Sequence, residues 1–137
     1  QPGGGSRNLR RQLAILGRFF QDLDFVTMSP AANLITRGVQ EEASARALGN
    51  RSGSQYAVYL HHGRVLADHQ PRYVVNTRRR TVTLALSLPA GNWHARWWNP
   101  QTGKIDKSEE FSHAGGERMV SSPEYTMDVA LELRRSP

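Results

Sequence analysis

The side chains in this chain that could do chemistry are five histidines, a few neighbouring carboxylates and a cluster of aromatics; cysteine is absent. Without cysteine there is no disulfide framework, no thiol nucleophile and no cysteine-based zinc or iron–sulfur site. His61 and His62 are adjacent, so on a strand they point to opposite faces and do not share one ion. His69, His94 and His113 have no ligand-set spacing, and the histidines read as surface or turn residues rather than as a metal site. Gly53-Ser54-Gln55 lacks the glycine–x–serine–x–glycine pattern of a serine nucleophile, and Gly3-Gly4-Gly5 follows no strand that could make it a phosphate loop. Acid–base work on a sugar needs two carboxyl groups facing across a cleft. The close pairs are Asp22/Asp24 and Glu109-Glu110, both in polar sequence where burial would not raise a pKa. The sequence therefore predicts no catalytic constellation, no cofactor and no metal.

The aromatic cluster carries more information. On a strand over 93–98, Trp93, Ala95 and Trp97 share one face while His94, Arg96 and Trp98 share the other. The first set reads as core. On the second, Trp98 packs where the strand runs into its turn, the reading that common burial of tryptophan favours. The alternative leaves it as a flat platform able to stack on a sugar C–H face, an apolar peptide group or an arginine plane. Tyr59, on the outward side of its strand with Ala57, is a second exposed candidate. The candidate ligand-binding residues are therefore Trp98, Tyr59, His94 and Arg96.

These side chains need elements to hold them. Gln1-Pro-Gly-Gly-Gly5 reads as a linker, and Ser6 as the N-cap of a helix whose apolar stripe is Leu9, Leu13, Leu16 and Phe20, with Arg10, Arg11 and Arg18 turned elsewhere. That helix ends near Gln21, and Ser29-Pro30 closes the segment after it. Short strands follow: Ala43–Leu48, Tyr56–Leu60 ended by His61-His62-Gly63, Thr81–Leu88, Trp93–Trp98, Asp106–Phe111, Arg118–Val120 and Met127–Arg134. Pro89-Ala90-Gly91-Asn92 predicts a hairpin joining Thr81–Leu88 to Trp93–Trp98. Arg64–Arg80 is a long excursion between strands. One apolar face per strand and frequent turn signals predict a mainly β fold, an antiparallel β-sandwich of about seven or eight strands with one N-terminal amphipathic helix. The expected division is 1–30 as linker and connector helix and 31–137 as a single compact β-sandwich.

The whole chain has 137 residues, 38 % of them hydrophobic, with a formal net charge of +6. That length suits one domain, and no apolar run reaches the ~18 residues of a membrane helix. The charge comes almost wholly from arginine and is lopsided, since residues 1–80 hold 12 basic and 5 acidic side chains. A basic half can mark an anionic partner. Here the arginines are dispersed except at Arg10-Arg11 and Arg78-Arg79-Arg80, and no nucleic-acid signature accompanies Tyr73 among them, so nucleic acid is not the expected partner. The chain begins at Gln1 without a signal peptide and reads as a piece of something longer.

In order along the chain come the helix leading into Phe25-Val26-Thr27-Met28-Ser29-Pro30, the strand Tyr56–Leu60 with Gly63 after it, then Ala95-Arg96-Trp97-Trp98-Asn99-Pro100-Gln101-Thr102-Gly103. Ser121-Ser122-Pro123 and Asp128-Val129-Ala130-Leu131-Glu132-Leu133 close the set. This ordered set resembles the C-terminal β-sandwich domain of bacterial cellulase-like glycoside hydrolases, a family labelled collagen-binding. The resemblance spans about Leu9 to Arg135, and Arg64–Arg80 is longer than the family's usual connection. It implies a non-catalytic accessory module of a secreted bacterial enzyme, outside the cell or in the periplasm. Its partner would be an upstream catalytic barrel of the same chain, which it stabilises, with polysaccharide as a second partner. The competing class is an extracellular protein- or collagen-binding module, and a free-standing enzyme is a third.

Overall fold

A computed structural model describes residues 28–39, 43–66, 72–75 and 79–137. The amphipathic helix expected from Leu9 to Phe20 lies outside them. The described residues form β1 (Ser29–Pro30), β2 (Ile35–Arg37), β3 (Ala43–Gly49), β4 (Gln55–Leu66), β5 (Arg72–Val75), β6 (Thr83–Leu88), β7 (Gly91–Asn99), β8 (Lys104–His113), β9 (Gly116–Ser121) and β10 (Asp128–Arg135). All pairings are antiparallel. A large sheet has the order β1-β3-β4-β10-β7-β8, with β5 added to β4, and a small sheet has the order β2-β6-β9. The mainly β, two-sheet architecture is thus as expected, although the strands are more numerous than seven or eight.

The core lies between the sheets. From the large sheet come Val58, Leu60, Trp93, Ala95, Trp97, Val129, Leu131 and Leu133; from the small sheet and its flanks come Val82, Leu84, Leu86, Leu88 and Val120. Each set occupies alternate positions of its strand, which is the two-residue period that fixes one face inward. Trp93 and Trp97 are buried, as their spacing predicted. Tyr56 packs 5.8 Å from Trp93, and burial pushes its phenol pKa up, partly offset by the positive charge of Arg135.

Three expectations need correction. The predicted hairpin over Pro89–Asn92 does not form, because β6 pairs with β2 and β9 while β7 pairs with β10 and β8. Both strands carry an apolar face, and alternation cannot distinguish neighbours in a sheet from strands facing across a core. Here the chain crosses from one sheet to the other, and the Trp93 indole N–H donates to the Pro89 carbonyl at 3.0 Å, tying down the crossing.

Second, β4 does not end at His61-His62-Gly63 but runs on to Leu66, where β5 pairs with it inside the Arg64–Arg80 excursion. Third, His62 is not a surface residue; it is fully buried. Arg80 Nη1 donates to His62 Nδ1 at 2.7 Å. That leaves the ring proton on Nε2, which donates to the Tyr125 hydroxyl at 2.5 Å. Satisfied polar partners are what let a histidine continue an apolar face.

Glycine is required at two places. Gly38 has φ +106°, and a Cβ there would lie 2.2 Å from the Thr83 carbonyl oxygen, so only glycine lets the end of β2 approach β6. Gly103, at φ +75°, closes the turn from β7 to β8. Its N–H donates to the Asn99 carbonyl at 2.8 Å, while the Asn99 side-chain oxygen accepts from the Gln101 N–H at 2.9 Å.

Candidate functional site

All four candidate residues project from one surface, the face of the large sheet turned away from the small sheet. Register explains how. Across neighbouring strands, Tyr59 stands opposite Ala130 and Ala130 opposite Trp98. In the next row on the same face, Ala57 stands opposite Glu132 and Glu132 opposite Arg96. One row further, Gln55 faces Arg134 and Arg134 faces His94. Each of the first two rows sets an alanine beside larger groups, so the small residue leaves room for the ring or guanidinium next to it.

The middle of this face is both buried and ionic. Glu132 is 0 % exposed. Arg96 Nε donates to Glu132 Oε1 at 2.5 Å, and Arg96 Nη2 is ion-paired to the same oxygen. Glu132 Oε2 is buried without a hydrogen-bond partner. The Tyr59 hydroxyl donates to Asp128 Oδ2 at 2.6 Å, and Gln101 Nε2 donates to Asp128 Oδ1 at 3.5 Å. The Arg96 guanidinium carbon lies 5.5 Å from the centre of the Trp98 ring, and the rings of Tyr59 and His61 stack at 6.3 Å. Ala57, Tyr59 and Ala130 form a small apolar cluster bordered by Met28, Leu48 and Trp98.

This geometry revises the expected exposure. Tyr59 does point outward, but it is only 3 % exposed and Ala57 is fully buried, so neither offers an open platform. Trp98 is half-buried, with the Arg96 cation over its ring. His94 is half-buried at the margin, where its Nε2 shares a 2.8 Å hydrogen bond with the Ser108 hydroxyl.

Sequence reasoning missed Asp128, Glu132 and Gln101. Asp128 and Glu132 alternate with Val129, Leu131 and Leu133 in β10, which is how a solvated polar face reads in sequence. Two aids to a better reading were present: both acids share their face with Ala130, and Tyr59 and Arg96 offered matching donors on strands β4 and β7, which flank β10 in the sheet.

The opposite outer surface, on the small sheet, is built differently. Arg37 Nη2 donates to Glu117 Oε1 at 2.6 Å, and the Thr36 hydroxyl donates to Glu117 Oε2 at 2.8 Å. These bonds, the Arg37 one first, hold the Glu117 carboxyl below the usual carboxylate range, and the same contact raises the Arg37 pKa. Both side chains are exposed, and nearby Met119 is 49 % exposed.

No protein-family profile matches the chain, and no curated protein sequence does. A solved structure described as "Glycoside hydrolase" shares the fold, with a TM-score of 0.58 and 15 % sequence identity. The match covers 89 % of this chain and 24 % of that one, so the chain spans about a quarter of the length of the structure it resembles. At that identity the likeness is one of fold.

Proposed function

We propose that this domain is a non-catalytic accessory module of a glycoside hydrolase, following a catalytic barrel and stabilising it. The supporting observation is the structural match, in which nearly all of this chain corresponds to one quarter of a glycoside hydrolase. The disposition of the carboxylates agrees with that reading. Asp128 accepts from Tyr59, Glu132 pairs with Arg96, Glu117 with Arg37 and Glu124 with Arg79. Of these, Asp128 and Glu132 are buried and held by structural partners, which leaves them poorly placed to act as acid and base on a sugar.

Carbohydrate binding is the weaker half of the proposal. It would rest on Trp98, since Tyr59 is buried and the Arg96 cation already lies over the Trp98 ring. The outer face of the large sheet suits packing within the protein better than a sugar platform.

Assay of the chain against a panel of β-linked polysaccharides should give no hydrolysis, and turnover above background would overturn the non-catalytic role. Affinity electrophoresis on the same panel and on collagen separates the binding readings. Retardation by a glycan that Trp98→Ala abolishes in a folded protein would restore the platform; retardation by collagen alone would favour a protein-binding module. The coding sequence upstream of Gln1 should encode a (β/α)-barrel.

A further inference from the structure

On one flank of the sandwich the two sheets end in consecutive strands. Among the described residues β8 pairs with β7 alone and β9 with β6 alone. An end strand leaves a row of unpaired N–H and C=O groups, which is a template for another chain. β8 is the longer of the two, at 10 residues, and a second copy of this chain would bring the same strand to it.

The side chains of β8 oppose that pairing. Lys107, Glu109 and Phe111 stand opposite Trp97, Ala95 and Trp93, so two charges point to the inner face at mid-strand. The Lys107 ammonium donates to the Ser121 carbonyl at 2.7 Å. The Ser122 N–H donates to the Val82 carbonyl at 2.8 Å, which turns the polar groups of Ser121 away from β6. Lys107 therefore occupies an open acceptor of β9. On the same flank the Arg118 guanidinium carbon lies 4.1 Å from the centre of the Phe111 ring. The opening between the sheets is thus closed by cations rather than by apolar groups. Asp106 adds a further obstacle. Trp97 stands opposite Lys107 and Trp98 opposite Ile105, so Asp106 is an extra residue that bulges the strand.

We propose that β8 is a guarded edge, in which Lys107, Glu109 and Glu110 beside the Asp106 bulge keep the large sheet from adding the β8 strand of a second copy. Opposite residues of an antiparallel pair share a face, so a two-fold pairing of β8 with itself centres on one residue. Centring on Lys107, Glu109 or Glu110 sets like charges directly opposite each other, which is destabilising. Centring on Ser108 sets Lys107 against Glu109 but drives Glu110 into the Asp106 bulge of the copy. Centring on Phe111 leaves only 109–113 to pair. Any register that covers Lys107 also encloses its ammonium against the copy, away from water.

The inference does not depend on the glycoside hydrolase reading, and sedimentation velocity of the full chain over a concentration series tests it. Lys107→Thr/Glu109→Thr/Glu110→Thr keeps a β-forming strand and removes the guard. This variant should pass from monomer to dimer as concentration rises, with amide exchange in β8 slowed about tenfold or more in the dimer. The unaltered chain should stay monomeric. A variant that stays monomeric throughout, or a dimer protected at another strand, overturns the proposal. So does an unaltered chain that dimerises through β8. Ser108→Thr/Ser112→Thr raises strand propensity and keeps every charge, so it should remain monomeric; its association through β8 would show that charge is not the guard. If the triple variant does not fold, Glu109→Thr/Glu110→Thr keeps the Lys107 bond to Ser121 and should dimerise at higher concentration. Absence of that dimer likewise overturns the guard.

Discussion

The two outer faces of this sandwich are made from similar residue types and behave as opposites. Each carries an arginine–glutamate pair: Arg96–Glu132 on the large sheet and Arg37–Glu117 on the small one. On the large sheet the glutamate is fully buried and its arginine is 22 % exposed. On the small sheet both partners stand in water. The difference teaches that a charge pair reports on its surroundings more than on its own geometry. In water the pair is screened and worth little. Under cover, losing one partner strands a charge that cannot be rehydrated.

The largest effect should come from splitting the buried pair. Arg96→Ala leaves Glu132 without its cation and should cost about 3–5 kcal/mol, read as a lowered urea midpoint. Replacing both as Arg96→Met/Glu132→Leu should recover most of that loss. If Arg96→Ala leaves the midpoint unchanged, the large-sheet face is wetter than described and the contrast collapses.

Next is Tyr59→Phe, which removes the donor to Asp128 and keeps the ring. A buried hydrogen bond to a charged group is worth about 1.5–3 kcal/mol, so a loss in that range should appear in the same unfolding curves. Trp98→Ala, at a half-buried ring, should cost about 2 kcal/mol, below the range for a fully buried tryptophan. A cost matching that of Trp93→Ala would show that the rim is as tightly packed as the core.

The smallest effect belongs to the small sheet. Glu117→Gln should leave the neutral-pH midpoint almost unmoved in high salt. Because the folded-state pKa of Glu117 is depressed, its contribution exists above the unfolded carboxylate range and disappears as pH falls through the folded value. The slight difference between wild type and Glu117→Gln should therefore vanish in acid. A difference that grew on acidification would reverse the sign of the assigned shift.

Much of the fold was legible because strand alternation is a local property. Val82, Leu84, Leu86 and Leu88 declare an inward face, and Trp93, Ala95 and Trp97 declare another, wherever those strands are placed. The hairpin over Pro89–Asn92 was misread because a turn-forming sequence says that the chain reverses, not which sheet receives it. His62 was misread for a related reason. A histidine after a strand looks like a terminus until Arg80 and Tyr125, both distant in sequence, arrive to satisfy both ring nitrogens. Within the candidate site, Trp98, Tyr59, His94 and Arg96 were found from their shared outward parity. Asp128 and Glu132 were not, because the acids on a buried outer face and on a solvated one follow the same alternation.

By itself the sequence determined which side of each strand is apolar, since a two-residue period leaves no freedom once the backbone is extended. It also excluded chemistry that depends on cysteine. Tertiary structure alone decided which strands became neighbours and which outward faces stayed wet. Pairing depends on loop paths and on registers set between distant segments, and burial depends on what lies above a surface. Neither is a property of any strand taken singly, so the pairing of Arg96 with Glu132 and of Tyr59 with Asp128 emerged only from the assembled sheet.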